Sequence, residues 1–244
     1  MSLRVTWAVT RRVLEQLRRD PRTIALILAV PCLLVVLLQQ VFGRHSEVFQ
    51  RIGTPLLGLF PFITMFLVTS ITMLRERTSG TLERLMTMPL HKIEVLAGYT
   101  FAFALFAAVQ AVLVSLLTFG LLGLEVDGPK SVVVLLAVIN AVLGTTLGLA
   151  VSAFAQTEFQ AVQFMPAVVF PQVFLCGLLV PRDQMAGWLE AISWALPLTY
   201  AYDALARTAA DQIDGRFAVD VAIVCGCIVL AVALGAASLR RRTD

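Results

Sequence analysis

The side chains that commonly catalyse reactions or bind metal ions are few in this sequence and lie far apart. The two histidines, His45 and His91, fall in connecting segments between different apolar runs, so we do not expect a metal or catalytic pair. All four cysteines lie in or at the edge of apolar runs, where packing is the expected role rather than disulfide or zinc chemistry. They are Cys32, Cys176, Cys225 and Cys227. The sequence therefore predicts no catalytic, cofactor or metal site.

The motifs that bind nucleotide phosphates are also missing from the sequence. It contains no Gly-x-x-x-x-Gly-Lys-Ser/Thr loop and no Gly-x-Gly-x-x-Gly opening a helix, so we expect any ATPase to be a separate chain. No Asp, Glu, Lys or Arg falls near the middle of a long apolar run, whereas a proton-driven antiporter needs such a group as its relay. If the chain transports a solute, primary transport is favoured. An embedded enzyme is disfavoured for want of paired charged or nucleophilic groups at membrane depth.

One polar stretch, residues 74–90, lies between two long apolar runs and carries a short helix of its own. We call this stretch the polar island. Gly80 is expected to cap the helix and Pro89 to end it. Glu83 then lies near the positive end of the helix dipole.

The helix of the polar island has one compact apolar face, made of Leu82, Leu85 and Met86 at positions i, i+3 and i+4. Two interpretations fit this amphipathic pattern: the face rests on lipid, or it docks onto a partner outside the membrane. Glu76, at the start of the polar island, is expected to pair with a basic group. That group belongs either to a partner or to the N-terminal segment.

The composition is that of a polytopic membrane protein, because 59% of the 244 residues are hydrophobic and only 14% are charged. Residues 1–23 carry six arginines, and their apolar side chains recur at helical spacing, which predicts an amphipathic interfacial helix. A cleaved signal peptide is disfavoured because the basic region is long and no small-residue cleavage site follows. Asp20 and Pro21 should break this helix and turn the chain into the bilayer.

Six apolar runs are long enough to cross a bilayer core of about 30 Å, which takes about 20 residues. They are approximately residues 24–42, 54–74, 95–123, 131–155, 159–180 and 217–239. With the N-terminus inside, thirteen basic residues lie on the cytoplasmic side and six outside, so both termini are predicted to be cytoplasmic. The predicted fold is an all-α membrane protein with six transmembrane helices within residues 24–244.

Residues 185–202 form an ambiguous segment that resembles a seventh span. Glu190 and Pro197 weaken it as a lipid-exposed helix, and a seventh crossing would place the C-terminal arginines outside. We interpret residues 182–205 as a re-entrant hairpin in the outer leaflet, with an ordinary extracellular amphipathic helix as the alternative. Its expected interfacial anchors are Trp188, Trp194 and Tyr200.

Two stretches carry a resemblance to a known family. Residues 75–85, RERTSGTLERL, followed by Pro89, resemble the coupling helix of ABC-2 type transporter permeases. The series FLCGLLVP at 174–181, GWL at 187–189 and PLTYAYDAL at 197–205 resembles the re-entrant region that precedes the last span in that family. The resemblance implies that a coupling helix at about 75–89 docks onto a separate ATPase. The implied coupling residues are Arg75, Glu76, Arg77, Gly80, Thr81, Leu82, Leu85 and Met86.

The resemblance also implies where a substrate binds. In ABC-2 permeases the second and fifth spans of two protomers line a central cavity, and here prolines are expected to kink both spans. The implied substrate contacts are Phe62, Met65, Phe66, Phe170 and Phe174, although each also suits a lipid-facing or core position. Gly144 and Gly148 form a GxxxG step, for which packing within the protomer is favoured over a dimer seam.

The function implied is that of the membrane subunit of an ATP-driven exporter in a bacterial plasma membrane. Its expected partners are two P-loop ATPase subunits, which bind ATP and Mg, and a second permease protomer, identical or similar. Short external loops favour a hydrophobic small molecule or drug as substrate, with polysaccharide or envelope lipid as the alternative. A membrane scaffold without transport activity is a further alternative, and nothing in the sequence indicates nucleic-acid binding.

Overall fold

The computed structural model describes residues 3–43, 47–81, 84 and 91–238, and every regular element in these ranges is a helix. The first five α-helices are α1 Leu3–Arg18, α2 Pro21–Phe42, α3 Glu47–Thr78, α4 Lys92–Gly120 and α5 Lys130–Val151. A 3₁₀ turn at Ser152–Phe154 follows. The remainder comprises α6 Glu158–Phe164, a π-helical segment Met165–Val169, α7 Phe170–Leu175, a 3₁₀ turn Arg182–Gln184, α8 Gly187–Ser193, α9 Pro197–Ala209 and α10 Gly215–Ser238.

Five described helices are long and apolar enough to cross a membrane, namely α2, α3, α4, α5 with its following turn, and α10. The predicted class, an all-helical polytopic membrane protein, is therefore confirmed. The run predicted at 159–180 is instead divided among α6, the π-helical segment and α7, which end at Leu175. Pro166 and Pro171 lie in this run, and a proline removes a backbone donor and disturbs the preceding helical turn. The six-span topology stays a prediction.

The break between α1 and α2 follows the sequence closely. Asp20 caps α2: its carboxylate accepts hydrogen bonds from the backbone N–H of Thr23 at 3.1 Å and from the Thr23 hydroxyl at 2.6 Å. Pro21 occupies the first turn, where a missing N–H costs nothing. The two residues thus end the N-terminal helix where predicted.

Helices α3 and α5 pack in close contact through two glycines. A Cβ atom added at Gly144 would lie 2.2 Å from the carbonyl oxygen of Phe62, and one added at Gly148 would lie 2.4 Å from that of Phe66. The Thr69 hydroxyl also donates to the Thr145 carbonyl at 3.1 Å. The predicted packing of the GxxxG step within the protomer is confirmed.

Helix α1 packs on α4 rather than resting on lipid alone. The Thr10 hydroxyl donates to the Gly98 carbonyl at 3.1 Å, and Val9 lies where a Cβ at Gly98 would fall, 2.6 Å away. Leu3 and Trp7 remain exposed on another face. The apolar residues of α1 therefore lie on two surfaces: Val9 contacts α4, whereas Leu3 and Trp7 are exposed.

The ambiguous segment at 185–202 contains two short helices, α8 with 7 residues and the first part of α9, which has 13. Neither reaches the length of about 20 residues that crosses a bilayer. Tyr200 donates its hydroxyl proton to the Trp194 carbonyl at 2.6 Å, and Thr199 donates to the Ser193 carbonyl at 2.7 Å. These bonds fix the angle between α8 and α9, while entry of the hairpin into the bilayer stays a prediction.

Candidate functional site

The last turns of α3 hold a buried carboxylate. The Glu76 side chain is only 3% exposed, and its two oxygens accept hydrogen bonds from Arg12 Nη2 at 3.2 Å and Gln16 Nε2 at 2.8 Å. Both donors belong to α1. Because a buried charge is tolerated only when it is paired and hydrogen-bonded, this contact fixes α1 against the end of α3. Of the two partners considered for Glu76, the structure shows the N-terminal helix.

The preceding residue links α3 to a different helix. Arg75 Nε lies 2.7 Å from Glu158 Oε1 and Arg75 Nη2 lies 3.0 Å from Glu158 Oε2, a two-pronged ion pair. Its hydrogen bonds hold the pKa of the Glu158 carboxyl below the ordinary value. Glu158 opens α6, so two successive residues of α3 join three separate helices at the α1 end of the bundle.

The polar island begins within the last turns of α3, which ends at Thr78. Gly80 has a φ of +70°, a left-handed conformation that glycine adopts without a steric penalty, and this turns the chain out of α3. Its carbonyl then accepts a hydrogen bond from the Arg84 N–H at 3.1 Å, which is the bond made by a residue that caps a new helix. Arg77 and Thr81 are half-buried. Leu82, Leu85 and Met86 lie outside the described residues, so the apolar docking face stays a prediction.

The five implied substrate contacts do not come together on one surface. Phe62, Met65 and Phe66 are fully buried within the protomer. Their face of α3 lies against α5, because the glycines of α5 admit the α3 backbone there. These three side chains are enclosed in the core of one protomer, and their role as substrate contacts stays a prediction. The other two, Phe170 and Phe174, are exposed with ring centroids 6.2 Å apart.

A cavity of about 620 Å³ lies instead between α1, α2 and the opposite face of α3. We call it the α2–α3 groove. Its walls are mainly apolar, and α3 contributes side chains that repeat every three to four residues. Those from α3 are Phe60, Ile63, Thr64, Leu67, Val68, Ile71, Thr72 and Arg75, and those from α2 include Thr23, Leu26, Ile27, Val30 and Leu34.

Sequence reasoning missed this face of α3 because it selected residues by type, taking methionine and phenylalanine as an adaptable wall. The helical periodicity of α3 could have indicated this face. Once Phe62 and Phe66 are assigned to the glycine contact, Ile63 and Leu67 must point elsewhere, about 100° further round the helix. The charged residues that line the described part of the α2–α3 groove, Asp20 and Arg75, lie at its α1 end.

The opposite end of the bundle holds a second group of ion pairs. Arg182 pairs with Asp203, and its guanidinium lies 4.3 Å from the centre of the Trp194 ring. Burial raises the pKa of the Asp203 carboxyl, an effect that the charge of Arg182 opposes. Arg207 lies 3.3 Å from Asp220 of α10. These contacts join the segment between α7 and α9 to α10, and we assign them a structural role.

Comparison with known proteins gives a consistent result. Residues 4–208 match the model of the family described as ABC-2 type transporter. Over 148 residues the chain is 26% identical to the probable multidrug ABC transporter permease YbhR of Escherichia coli K12, covering 61% of this chain and 40% of YbhR. Over 177 residues it is 27% identical to the linearmycin resistance permease protein LnrN of Bacillus subtilis 168, covering 72% of this chain and 44% of LnrN.

A third relative is matched over most of its length. The chain is 29% identical over 208 residues to the probable doxorubicin resistance ABC transporter permease protein DrrC of Mycobacterium tuberculosis H37Rv, covering 80% of this chain and 73% of DrrC. By contrast, the matched segments span less than half the length of YbhR and LnrN.

Proposed function

The chain belongs to the ABC-2 type transporter family, and from this premise we propose that it is the membrane-spanning subunit of an ATP-driven exporter of hydrophobic small molecules or drugs. The observation that carries the proposal is the junction at Arg75 and Glu76. There one helix end contacts α1 through Glu76 and α6 through Arg75, beside an apolar groove of drug-sized volume. Pockets for small molecules typically measure about 300–1,000 Å³.

We place the α1 end of the bundle on the cytoplasmic side of a bacterial inner membrane, because most basic residues fall there. A separate P-loop ATPase, in two copies, supplies ATP binding and Mg²⁺, since the sequence has no phosphate-binding loop. The permease acts as a dimer, with an identical or similar chain. The apolar face at Leu82, Leu85 and Met86 docks onto the ATPase.

The coupling step follows from the length of α3. This helix runs for 32 residues, about 48 Å, from the polar island to the far end of the bundle. Closure of the ATPase dimer moves the polar island, and α3 transmits the displacement along the wall of the α2–α3 groove. The pairs Arg12–Glu76 and Arg75–Glu158 oblige α1 and α6 to move with it. The groove thereby switches from inward to outward access.

A hydrophobic small molecule suits this groove better than a long hydrophilic polymer. The walls formed by α2 and α3 are mostly aliphatic, and the charged lining residues Asp20 and Arg75 lie at the α1 end. A polymer chain needs a continuous polar path across the membrane, because buried polar groups without partners cost several kcal/mol. Doxorubicin and linearmycin, named in two relatives, are the first compounds to test.

The decisive experiment is reconstitution into vesicles with a P-loop ATPase that co-purifies with the permease, sought first among the products of the neighbouring reading frames. Export of doxorubicin should require ATP and continue when an ionophore collapses the proton gradient. Export that stops with ATP present and the gradient gone would contradict primary transport. An intact complex that moves neither compound and shows no stimulated ATP hydrolysis would favour the scaffold alternative.

A further inference from the structure

We propose that the α2–α3 groove selects amphiphiles with a cationic head, and that the Asp20 carboxylate pairs with this head. This inference rests on the proposed export function and names the substrate class for it. It comes from the distribution of charge in the groove: a long apolar section with, at its α1 end, one carboxylate that has no salt-bridge partner among the described residues.

The apolar section has the dimensions of an extended hydrocarbon or a fused-ring body. From Thr23 to Leu34 the groove follows α2 for about 16 Å. Leu26 and Val30 of α2 are exposed on this side, and Ile63 and Leu67 of α3 are half-buried opposite them. Burying such apolar surface against a ligand favours binding, because apolar area is removed from water.

Among the described residues, only two charged ones line the groove, Asp20 and Arg75. The Arg75 guanidinium is engaged on two prongs by Glu158, so this pair is neutral as a unit. An anionic head would have to draw Arg75 away from Glu158. It would also lie near the negative charge of Asp20, so the groove disfavours anionic amphiphiles.

The Asp20 carboxylate has a different environment. Both of its oxygens accept hydrogen bonds from Thr23, which is uncharged, and no salt bridge to Asp20 occurs within the described part of the chain. The bonds from Thr23, with a smaller contribution from the charge of Arg75, hold the pKa of Asp20 below its ordinary value. The carboxylate is therefore ionised at neutral pH and available to a cation that enters the mouth of the groove.

The test uses the permease bound to its ATPase, in nanodiscs and without nucleotide. Three photoreactive probes share one twelve-carbon diazirine chain and differ only in the head: amine, alcohol or carboxylate. The amine should bind most tightly and should form adducts on α2 and α3 within the groove. Asp20→Asn should weaken amine binding about fivefold, the upper range for a solvent-exposed ion pair, and leave the alcohol unchanged.

The variants are matched to separate charge from structure. Asparagine is as good a helix N-cap as aspartate, so Asp20→Asn keeps the start of α2 while removing the charge. Asp20→Glu keeps the charge and should retain the preference for amine. Glu15→Gln removes an exposed carboxylate of α1 that pairs with Arg11 outside the groove, and it should alter no probe. Leu67→Trp should fill the groove and weaken all three probes.

Equal binding of amine and carboxylate, an equal effect of Asp20→Asn on amine and alcohol, or adducts outside the groove would overturn the proposal. Export assays on the same preparations separate it from the proposed function. If a drug is exported with ATP but the groove is not labelled, only the inference about Asp20 is contradicted. If labelling depends on Asp20 but no ATP-driven export occurs, the proposed export function is contradicted and the cation site is supported.

Discussion

Arg12 Nη2 and Glu76 Oε2 lie 3.2 Å apart, although 64 residues separate them in sequence. The carboxylate is almost completely buried while the guanidinium is half-buried, so water reaches the pair mainly from the Arg12 side. This contact fixes the N-terminal helix to the end of α3 that leads into the polar island.

Glu76→Gln should therefore destabilise the protein by about 1–3 kcal/mol, because the half-buried Arg12 loses its counter-charge. We also expect lower substrate-stimulated ATP hydrolysis, with assembly of the complex largely preserved. Thermal unfolding in detergent and an ATPase assay measure the two effects. Glu15→Gln, which breaks the exposed pair with Arg11, is the matched control and should change stability by less than about 1 kcal/mol. Equal effects of both variants would show that burial of Glu76 is unimportant.

Leu85→Asp should uncouple the permease from its ATPase. A carboxylate placed in an apolar contact costs several kcal/mol, which lowers affinity by orders of magnitude while leaving the transmembrane helices untouched. Co-purification and drug-stimulated ATP hydrolysis in nanodiscs measure the loss. Thr87→Asp is the control, because the sequence predicts Thr87 on the other side of this helix, and it should retain both. Normal assembly and full stimulation in Leu85→Asp would show that the helix only rests on lipid.

Breaking the Arg75–Glu158 pair should affect transport more than stability. Both side chains are more than half exposed, so Glu158→Gln should cost less than about 1 kcal/mol in unfolding. Export per ATP hydrolysed should fall, because α6 no longer follows α3. The charge-reversed double variant Arg75→Glu with Glu158→Arg should recover part of the export. Recovery no better than in either single variant would argue against a direct link.

Gly144→Ala should destabilise the protein by about 1–3 kcal/mol or more, since its new methyl group would meet the Phe62 carbonyl, which cannot rotate away as a side chain can. Gly226→Ala in α10 adds the same methyl where nothing lies within 4 Å, and it should be neutral or stabilising. The melting temperatures of the two variants in one detergent give the comparison. Equal melting temperatures would contradict the close packing of α3 on α5.

Single cysteines placed at Asp211 and Arg241, in a background without the four native cysteines, should react with an impermeant reagent from opposite sides of the membrane. The basis is the excess of basic residues on one side, which predicts one crossing between the two positions. Labelling in intact cells and in inverted vesicles measures the sidedness. Reaction of both cysteines from the same side would rule out the predicted topology and the hairpin at 182–205.

The amino-acid sequence is sufficient to identify a helical membrane protein. An apolar run of about 20 residues can satisfy its backbone in lipid only as a helix or in a closed barrel, and these runs lack the alternation of a barrel strand. It also determined where helices begin, because Asp20 and Pro21 act through local bonds. The resemblance of the polar island to a coupling helix was equally readable, since it depends only on residues in a row.

Which side of each helix faces the core can be known only from the tertiary structure. The composition of α3 is apolar on all sides and does not show which side faces the core. The glycines of α5 determine it, because they allow the backbone at Phe62 and Phe66 to approach closely. Ile63 and Leu67 therefore line the groove. The tertiary structure likewise pairs Glu76 with Arg12, one of the nineteen basic residues of the chain. Such choices depend on contacts between segments far apart in the chain, and local spacing carries no information about them.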